Sequence, residues 1–143
     1  MAPLAMCDTT VLYAAGNRNA HRHTKAFEIV SAVDRGELPL LRIPDAVLVE
    51  TINGLTRDVG HEIAVALLER LQTGSQFELV REPRSVWETG IDLFTRIERF
   101  SLADALIVAG ARHSGIEYLY SFDDDFDGFD GLTRLNAATN PFD

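Results

Sequence analysis

The feature of the sequence that most constrains its fold is a regular alternation of short apolar segments and longer amphipathic segments. The short segments have the length of buried strands, and the longer ones repeat apolar residues at helical spacing. Strands that alternate with helices pair in parallel, and helices then cover both faces of their sheet. The pattern therefore predicts an α/β domain in three layers, with a mainly parallel central sheet. The predicted strands are PLAMC, LPLLRIP, FELVR and EYLYSF, followed by a last short apolar piece, LTRL.

Several predicted helices have recognisable ends. The segment HTKAFEIVSAVDRG is amphipathic, and Gly36 is placed to cap its C-terminus. The segment SLADALIVAGARHSG opens with Ser101 and Asp104 at the spacing of a capping box. No repeat or flexible linker interrupts the order, so residues 1–143 are predicted to form one domain. The other predicted helices are the short TVLYAAG, which ends at Gly16, and then DAVLVETINGLTRD, GHEIAVALLERLQTG and SVWETGIDLFTRIERF.

The composition is that of an ordinary globular protein. Hydrophobic residues make up 46% of the 143 residues and charged residues 24%, which argues against disordered and fibrous classes. There is no run of about 18 or more apolar residues, and no charged N-terminal region leads into a long apolar core. We therefore expect a soluble, cytoplasmic protein with no membrane partner. The lone cysteine, Cys7, cannot form an internal disulfide and is interpreted as a small buried residue.

The formal net charge of −9 argues at first against a polyanionic partner, because proteins that bind nucleic acids usually carry a basic stripe. The type of charge qualifies this argument. Lys25 is the only lysine, and every other cation is an arginine in a chain with 22 acidic residues. Such a surface resembles adaptation to high internal salt, where screening shortens the range of charge repulsion. Net charge alone therefore says little about the function.

An acidic stretch near the C-terminus, SFDDDFDGFDG, has aspartates spaced like the first half of an EF-hand calcium loop, at Asp123, Asp125 and Asp127. That loop needs a bidentate Glu at its twelfth position, where this chain has Arg134. The preceding segment IEYLYSF also has the character of a strand, whereas an EF-hand loop lies between two helices. The sequence therefore disfavours a calcium loop, and the acids need another explanation.

Other acids are placed to meet at one edge of the predicted sheet. Asp8 follows the first predicted strand and Asp123 follows EYLYSF, so both are expected in the crevice beyond the carboxyl ends of the strands. Each has an alternative explanation as a helix cap or turn former. The capping box alone accounts for Asp104. Glu50 lies within a predicted helix among apolar residues, where capping does not explain it, although a solvated helix face still does.

A group of four or more carboxylates in one crevice has a definite chemical implication. Such groups repel each other and raise each other's pKa, so the cluster persists only if a cation neutralises it. Ligands that are all oxygen atoms indicate Mg²⁺ or Mn²⁺ rather than zinc, and the four histidines are too scattered for a zinc site. A divalent cation can polarise a phosphodiester and generate a hydroxide nucleophile near neutral pH. The pattern is typical of metal-dependent nucleases.

Three segments in this order resemble the PIN domain, and most closely the toxin ribonucleases of toxin-antitoxin pairs: CDTTVLYA, PDAVLVETINGLTR and SLADALIVAGARHSGIEYLYSFDDDFDGF. The resemblance spans nearly the whole chain. It implies a three-layer PIN-like fold and Mg²⁺ or Mn²⁺ as the cofactor. The metal-site and catalytic acids that it implies are Asp8, Glu50, Asp104 and Asp123, with Asp125 as an accessory metal ligand, Thr10 and Ser121 as hydroxyl positions, and Asp124, Asp127 and Asp130 as solvated loop charges.

The resemblance also implies an activity and partners. A PIN-like toxin is an Mg²⁺-dependent endoribonuclease that cuts its RNA substrate by in-line attack of water, leaving a 5′-phosphate and a 3′-hydroxyl. It forms a homodimer, and a cognate antitoxin protein neutralises it by placing a peptide in the crevice. One alternative is a PIN-like module that binds RNA or protein without cutting, which the four retained acid positions disfavour. Another is a DNA flap nuclease of related fold, for which the chain lacks the length of the extra DNA-binding helices.

Three aromatic residues and one arginine have open interpretations. Trp87, Phe94 and Phe100 are spaced as one face of a helix, which indicates core packing or a subunit contact rather than base stacking. Arg57 follows Glu50 by two helical turns on the same face. It is placed to reach a phosphate at the edge of the site, although an ordinary surface arginine explains it better.

Overall fold

The structure is a computed structural model and describes residues 3–143. Its centre is a five-stranded sheet in which every pair of neighbouring strands is parallel. This arrangement confirms the predicted α/β architecture. The strands are β1 (Leu4–Cys7), β2 (Leu40–Pro44), β3 (Phe77–Val80), β4 (Tyr118–Tyr120) and β5 (Thr133–Leu135). The helices are α1 (Thr9–Gly16), α2 (His23–Asp34), α3 (Asp45–Asp58), α4 (His61–Thr73), α5 (Arg84–Arg96) and α6 (Leu102–Ser114).

The order of the strands across the sheet is β3-β2-β1-β4-β5, which places β1 at the centre. The chain moves outwards from β1 to β2 and β3, and then α5 and α6 carry it back across to β4. Because such crossovers are right-handed, this reversal puts α5 and α6 on the opposite face from α1 to α4. The reversal lies between β1 and β4, where Cys7 is aligned with Tyr120. In open parallel sheets, ligands bind beyond the carboxyl ends of the strands at this switch point.

The central strand is buried on both faces, as a parallel sheet between two helical layers requires. Ala5, Met6 and Cys7 have no exposed surface, which confirms the interpretation of Cys7 as a buried residue. Desolvation by burial raises the pKa of the Cys7 thiol well above its ordinary value. Cys7 is therefore a neutral packing residue next to Asp8. None of the helices in residues 3–143 has the length and apolar character needed to cross a lipid bilayer.

Two predicted elements end earlier than their apolar patterns. Helix α5 stops at Arg96 because the backbone of Ile97 is extended, and Phe100 then turns into the core. Phe100 therefore does not share the predicted helix face with Trp87 and Phe94, but its burial confirms the predicted core packing. Trp87 and Phe94 are about half exposed. Strand β4 ends at Tyr120 rather than at the phenylalanine that precedes Asp123.

Candidate metal centre

Three half-buried carboxylates meet where the strand order reverses. Asp104 lies in the first turn of α6, and Asp123 and Asp125 lie in the turn that follows β4. One oxygen atom from each of the three lies within 4.8 Å of the other two. We call these three residues the acid cluster. The structure thus brings together three of the five acids that the resemblance assigns to the metal site.

Asp8 is the deeply buried acid beside the acid cluster. Its side chain is almost fully enclosed and makes no side-chain capping hydrogen bond to α1. One carboxylate oxygen, Oδ2, instead accepts hydrogen bonds from the hydroxyls of Thr10, at 2.9 Å, and Ser121, at 2.7 Å. Burial raises the pKa of Asp8 above its ordinary value, and the charge of Asp123 adds to this rise, whereas the two hydroxyls oppose it. Helix capping therefore does not explain Asp8.

The two hydroxyls also join the ends of β1 and β4. The Oγ atom of Ser121 accepts a hydrogen bond from the backbone N–H of Asp123 at 2.9 Å. The Oγ1 atom of Thr10 accepts one from the backbone N–H of Phe122 at 3.0 Å. Each hydroxyl therefore donates to Asp8 and accepts from the turn that carries the acid cluster. Both residues stand where the resemblance placed a small polar side chain.

Asp104 caps the N-terminus of α6 and also belongs to the acid cluster. Its Oδ2 atom accepts a hydrogen bond from the backbone N–H of Ser101 at 3.1 Å, and its own N–H donates to the Ser101 hydroxyl at 3.1 Å. This reciprocal pair confirms the predicted capping box. Burial, with a smaller contribution from the charges of Asp8 and Asp123, raises the pKa of Asp104 to about 6 against the opposing hydrogen bonds of Ser101. The cap thus holds a carboxylate whose surroundings disfavour its charge.

The turn after β4 explains why the aspartates of this stretch differ from one another. Asp123 caps a short 3₁₀ helix, Asp124–Phe126, by accepting a hydrogen bond from the backbone N–H of Asp125 at 2.9 Å. Phe126 is fully buried and anchors the turn in the core. Asp124 is exposed, and Asp123 and Asp125 are half-buried. Capping therefore explains one hydrogen bond of Asp123, but it does not explain why Asp123 belongs to the acid cluster.

Glu50 lies outside the acid cluster. It is exposed on α3 and lines a recess of about 360 Å³ together with Trp87 and Leu106. Leu106 belongs to α6, the helix that carries Asp104, but the three residues of the acid cluster do not line this recess. The role of Glu50 as a metal ligand stays a prediction. Glu82 also lines the recess, and its buried side chain pairs with Arg42 at 2.8 Å.

The remaining aspartates of the acidic stretch are on the surface. Asp124 and Asp130 are exposed, as the resemblance implied. Asp127 is also exposed, but it forms two hydrogen bonds with the guanidinium of Arg134, at 2.8 and 2.9 Å, and this pairing lowers the pKa of Asp127. Arg134 also donates to the backbone carbonyl of Ser121 at 3.3 Å. The arginine that argues against a calcium loop therefore ties the acidic turn to the end of β4.

Two arginines near the acid cluster were missed by the sequence analysis. The guanidinium carbon of Arg22 lies 5.2 Å from the centre of the Phe122 ring. The Nε–H of Arg99 donates to the backbone carbonyl of Asp125 at 2.8 Å. Arg57, which the sequence did single out, instead pairs with Asp58 at 2.9 Å. Spacing along a helix cannot reveal Arg22 or Arg99, because both lie in connections between helices. Their positions in the sequence were the available signal. Arg22 lies in the connection after α1, which begins directly after Asp8, and Arg99 lies in the connection before α6, which carries Asp104.

The donor set of the acid cluster fits a hard divalent cation. All the side chains that converge are carboxylates, and Asp8 adds a fourth close by. Burial first, and the nearby charges of Asp8 and Asp123 in addition, raise the pKa of Asp104, so the site disfavours an uncompensated negative charge. Oxygen-only sites of this kind suit Mg²⁺ or Mn²⁺. The residues present therefore match the metal that the resemblance implies.

Solved structures of toxins and toxin-antitoxin complexes share this fold. VapC20 of Mycobacterium tuberculosis, a toxin that cleaves the sarcin-ricin loop, is 28% identical with a TM-score of 0.76 over 90% of this chain and 98% of that chain. A toxin-antitoxin complex from Klebsiella pneumoniae is 21% identical with a TM-score of 0.63 over 90% and 95%. VapBC2 from Rickettsia felis, bound to a promoter DNA fragment, is 17% identical with a TM-score of 0.68 over 92% and 97%. At these lower identities, the last two show the fold alone.

The family of this chain is shown by a family model and not by a curated relative. No curated protein sequence matches this chain. The family model of the PIN domain, in contrast, matches residues 5–132. The matched region runs from β1 to the residue before β5 and contains Asp8, Glu50 and the acid cluster. This chain therefore belongs to the PIN-domain family.

Proposed function

We propose that this protein is a metal-dependent endoribonuclease and the toxin of a toxin-antitoxin pair. The observation that carries the proposal is the acid cluster, whose carboxylate oxygens lie within 4.8 Å of one another beside the buried Asp8. Membership of the PIN-domain family and the similarity to VapC20 support the nuclease activity and the role as a toxin. The retained acids disfavour a module that binds RNA without cutting it.

The proposed metal ligands are Asp8, Asp104, Asp123 and Asp125, with Glu50 of α3 as a further proposed ligand. A divalent cation held there, Mg²⁺ or Mn²⁺, would polarise the phosphodiester and lower the pKa of water. The side chains of the protein supply the negative charge that would hold the cation, and hydrogen bonds fix the orientation of the carboxylates of Asp8, Asp104 and Asp123. Thr10 and Ser121 fix the carboxylate of Asp8 by two hydrogen bonds.

The proposed reaction is hydrolysis of an RNA phosphodiester bond. The oxygen of water attacks phosphorus in line with the bond to the 3′ oxygen, that bond breaks, and the 3′ oxygen takes up a proton. The products carry a 5′-phosphate and a 3′-hydroxyl. Because the pKa of Asp104 is about 6, this carboxyl group is mostly ionised at neutral pH and takes up a proton on mild acidification. Asp104 thus links metal retention to pH.

The proposed partner is a cognate antitoxin that places a peptide in the crevice. Several solved structures of this fold are toxin-antitoxin complexes, among them VapBC from Salmonella typhimurium and VapBC-1 from Haemophilus influenzae. A peptide in the crevice covers the acid cluster and blocks access of RNA. A small antitoxin-like reading frame next to the gene is the simplest observation that supports this partner.

We also propose a homodimer. Trp87, Ile91 and Phe94 follow one face of α5 and are 40 to 50% exposed, and Val49 of α3 is 59% exposed near them. Contiguous exposed apolar residues of this kind are typical of protein interfaces. The molar mass of Trp87→Ser in solution should fall towards that of a monomer. Phe142→Ser, which changes an equally exposed ring elsewhere, serves as the control.

The proposed activity is tested with purified protein and end-labelled single-stranded RNA. Wild type should cut the RNA with Mg²⁺ or Mn²⁺ and stop when EDTA is added. The fragments should carry a 5′-phosphate and a 3′-hydroxyl that a ligase can join. Asp104→Asn should abolish cleavage, whereas Asp124→Asn, an exposed neighbour of the acid cluster, should retain it. The absence of cleavage by wild type with both metals and several RNA sequences contradicts the proposal.

A further inference from the structure

Most of the positive charge of this acidic protein is already neutralised within the chain. Eight of the thirteen lysines and arginines form an ion pair with a carboxylate. The remaining cations have no carboxylate partner within 4 Å among residues 3–143. They are Arg18, Arg22, Lys25, Arg99 and Arg112. These five side chains offer a polyanionic substrate a positive charge that no carboxylate of the described residues already pairs.

Arg22 is held against the turn that carries the acid cluster. Its guanidinium lies over the Phe122 ring at 5.2 Å from the ring centre, and Phe122 directly precedes Asp123. The backbone of Phe122 is itself fixed by its hydrogen bond to Thr10. Arg22 is exposed. The ring therefore orients a solvent-accessible cation next to the acid cluster without neutralising its charge.

Arg99 contacts the other end of the same turn. Its Nε–H donates to the backbone carbonyl of Asp125 at 2.8 Å, and its guanidinium lies 5.0 Å from the centre of the Phe100 ring. A neutral carbonyl takes one of the five guanidinium hydrogens and leaves the positive charge uncompensated. Arg99 is exposed and stands just before the capping box that holds Asp104. It is therefore a second oriented cation at the acid cluster.

The other unpaired cations lack this placement. Arg112 lies over the Phe129 ring at 4.5 Å, near the C-terminal end of α6. At 1.5 Å per residue it is about 12 Å along the helix from Asp104. Arg18 and Lys25 make no hydrogen bond, ion pair or ring contact with the described residues of the acidic turn. Within residues 3–143, only Arg22 and Arg99 combine an unpaired charge with a contact to residues 122–126, the part of the turn that carries the acid cluster.

We propose that Arg22 and Arg99 bind backbone phosphates of RNA on the nucleotides next to the phosphodiester held at the acid cluster. This inference rests on the proposed function and identifies how a chain with a net charge of −9 holds its substrate. A guanidinium presents a planar set of donors that matches a phosphate group. Phosphate contacts position a nucleic acid without reading its sequence. Arg22 and Arg99 are therefore positioning residues, and they set the register of the strand rather than its sequence.

The test measures binding of labelled single-stranded RNA by fluorescence anisotropy in EDTA, over a series of salt concentrations. Each phosphate contact with a single strand contributes about 0.7 to the slope of log K against log salt. Arg22→Gln and Arg99→Gln should each weaken binding and lower the slope by about 0.7, equally for oligouridine and oligoadenine. Arg99→Lys, which keeps the charge, should restore most of the slope.

Matched controls remove the same charge where it is already paired. Arg84→Gln and Arg96→Gln on α5 each remove an arginine with an acidic partner one helical turn away. Their affinities and salt slopes should stay close to wild type. Equal effects of all four substitutions overturn the inference, because net charge alone then explains binding. A loss confined to one RNA sequence also overturns it, since it indicates a base contact. Weaker binding of a polyglutamate peptide with unchanged RNA binding assigns the arginines to an acidic peptide and likewise overturns it.

The outcome is separable from that of the proposed activity. Binding is measured in EDTA, where no metal-dependent cleavage occurs, and cleavage is assayed separately on the same preparations. Wild type that binds RNA through Arg22 and Arg99 but does not cut it contradicts the nuclease proposal alone. Wild type that cuts RNA while both arginine variants bind like the α5 controls contradicts the phosphate contacts alone.

Discussion

The hydroxyl of Ser121 donates a hydrogen bond of 2.7 Å to the carboxylate of Asp8, a residue 113 positions away in the chain. Both side chains are buried, so this bond lies in a region of low dielectric constant. The same hydroxyl accepts the backbone N–H of Asp123. Ser121 thus connects the carboxylate of Asp8, which follows the central strand, to the backbone of the acidic turn.

Removing this hydroxyl should destabilise the fold and disturb the site. Ser121→Ala leaves the buried carboxylate of Asp8 with one hydroxyl donor fewer and the N–H of Asp123 without its acceptor. We expect the free energy of unfolding to fall by about 1–3 kcal/mol, the usual cost of an unsatisfied buried polar group. Denaturant unfolding measures the effect, with the exposed Ser85→Ala as the control. A loss no larger than that of Ser85→Ala contradicts the assignment.

Asp8→Asn should leave the fold intact while removing nearly all metal-dependent RNA cleavage. The amide oxygen of Asn can still accept hydrogen bonds from Thr10 and Ser121, but the charge that attracts the cation is gone. RNA cleavage in Mn²⁺ and circular dichroism of the same sample measure the two effects. If Asp8→Asn cut RNA at the wild-type rate, the assignment of Asp8 to the metal site would be wrong.

Asp104→Asn and Asp127→Asn should behave differently although both remove one aspartate charge. Asp104 belongs to the acid cluster and should be needed for cleavage. Asp127 pairs with Arg134 at the surface, so its loss should leave the cleavage rate near that of wild type. Initial rates at saturating metal distinguish the two variants. Equal and severe losses point to the whole acidic run as the functional loop and exclude the present assignment.

The raised pKa of Asp104 predicts how pH affects stability in the absence of metal. The folded state raises this pKa from the ordinary 3.8 to about 6, so it holds the proton more tightly than the unfolded chain does. The resulting stabilisation is present at low pH and is lost as the pH rises from about 4 to about 6. Asn does not titrate, so the stability of wild type relative to Asp104→Asn should fall across this window. Unfolding in EDTA at several pH values measures it, and a relative stability that stays flat or rises refutes the prediction.

Metal should stabilise the folded protein through the same carboxylates. Like charges a few ångströms apart cost on the order of a few kcal/mol per pair at an effective dielectric constant of about 20. A divalent cation offsets this repulsion only in the folded state, so Tm should rise as Mn²⁺ is added. Ionic strength is kept high and constant, because screening by salt also stabilises an acidic chain.

Asp8→Asn is the reference for this titration. Without metal it should be as stable as wild type or more stable, because burial of Asp8 raises its pKa and makes its charge unfavourable. It should then gain less from Mn²⁺. An identical response of the two proteins means that Asp8 and the acid cluster do not share a cation.

The elements of the fold were predictable where the sequence marks their ends. Helix α3 spans Asp45–Asp58, the same residues as its predicted segment, because Pro44 and Gly60 bracket it. The C-terminal glycine of α2 was also correct, since Gly36 adopts a positive φ of 79° just after the helix. The end of α5 was not predictable. The apolar pattern continues to Phe100, and only tertiary packing decides that this ring enters the core.

The site was predictable in part, for a different physical reason. Asp8 and Asp123 follow strands, and the carboxyl ends of parallel strands share one edge, so their proximity was expected. The position of a side chain within a helix is less constrained, and Glu50 consequently lies apart from the acid cluster. Arg22 and Arg99 depend on how the helix connections fold over the turn, which no local pattern records. The order of the strands across the sheet likewise depends on tertiary packing and cannot be read from a local sequence pattern.

The parallel pairing of β1 with β4 has a consequence for how the protein is made. Strand β1 leaves the ribosome early, whereas Asp104 and the turn after β4 are synthesised only when most of the chain already exists. Parallel strands so far apart in sequence cannot pair until everything between them has been translated. An unfinished chain therefore carries Asp8 without Asp104, Asp123 and Asp125, the other acids of the proposed metal site. The proposed metal site is thus assembled only when translation of the chain is nearly complete.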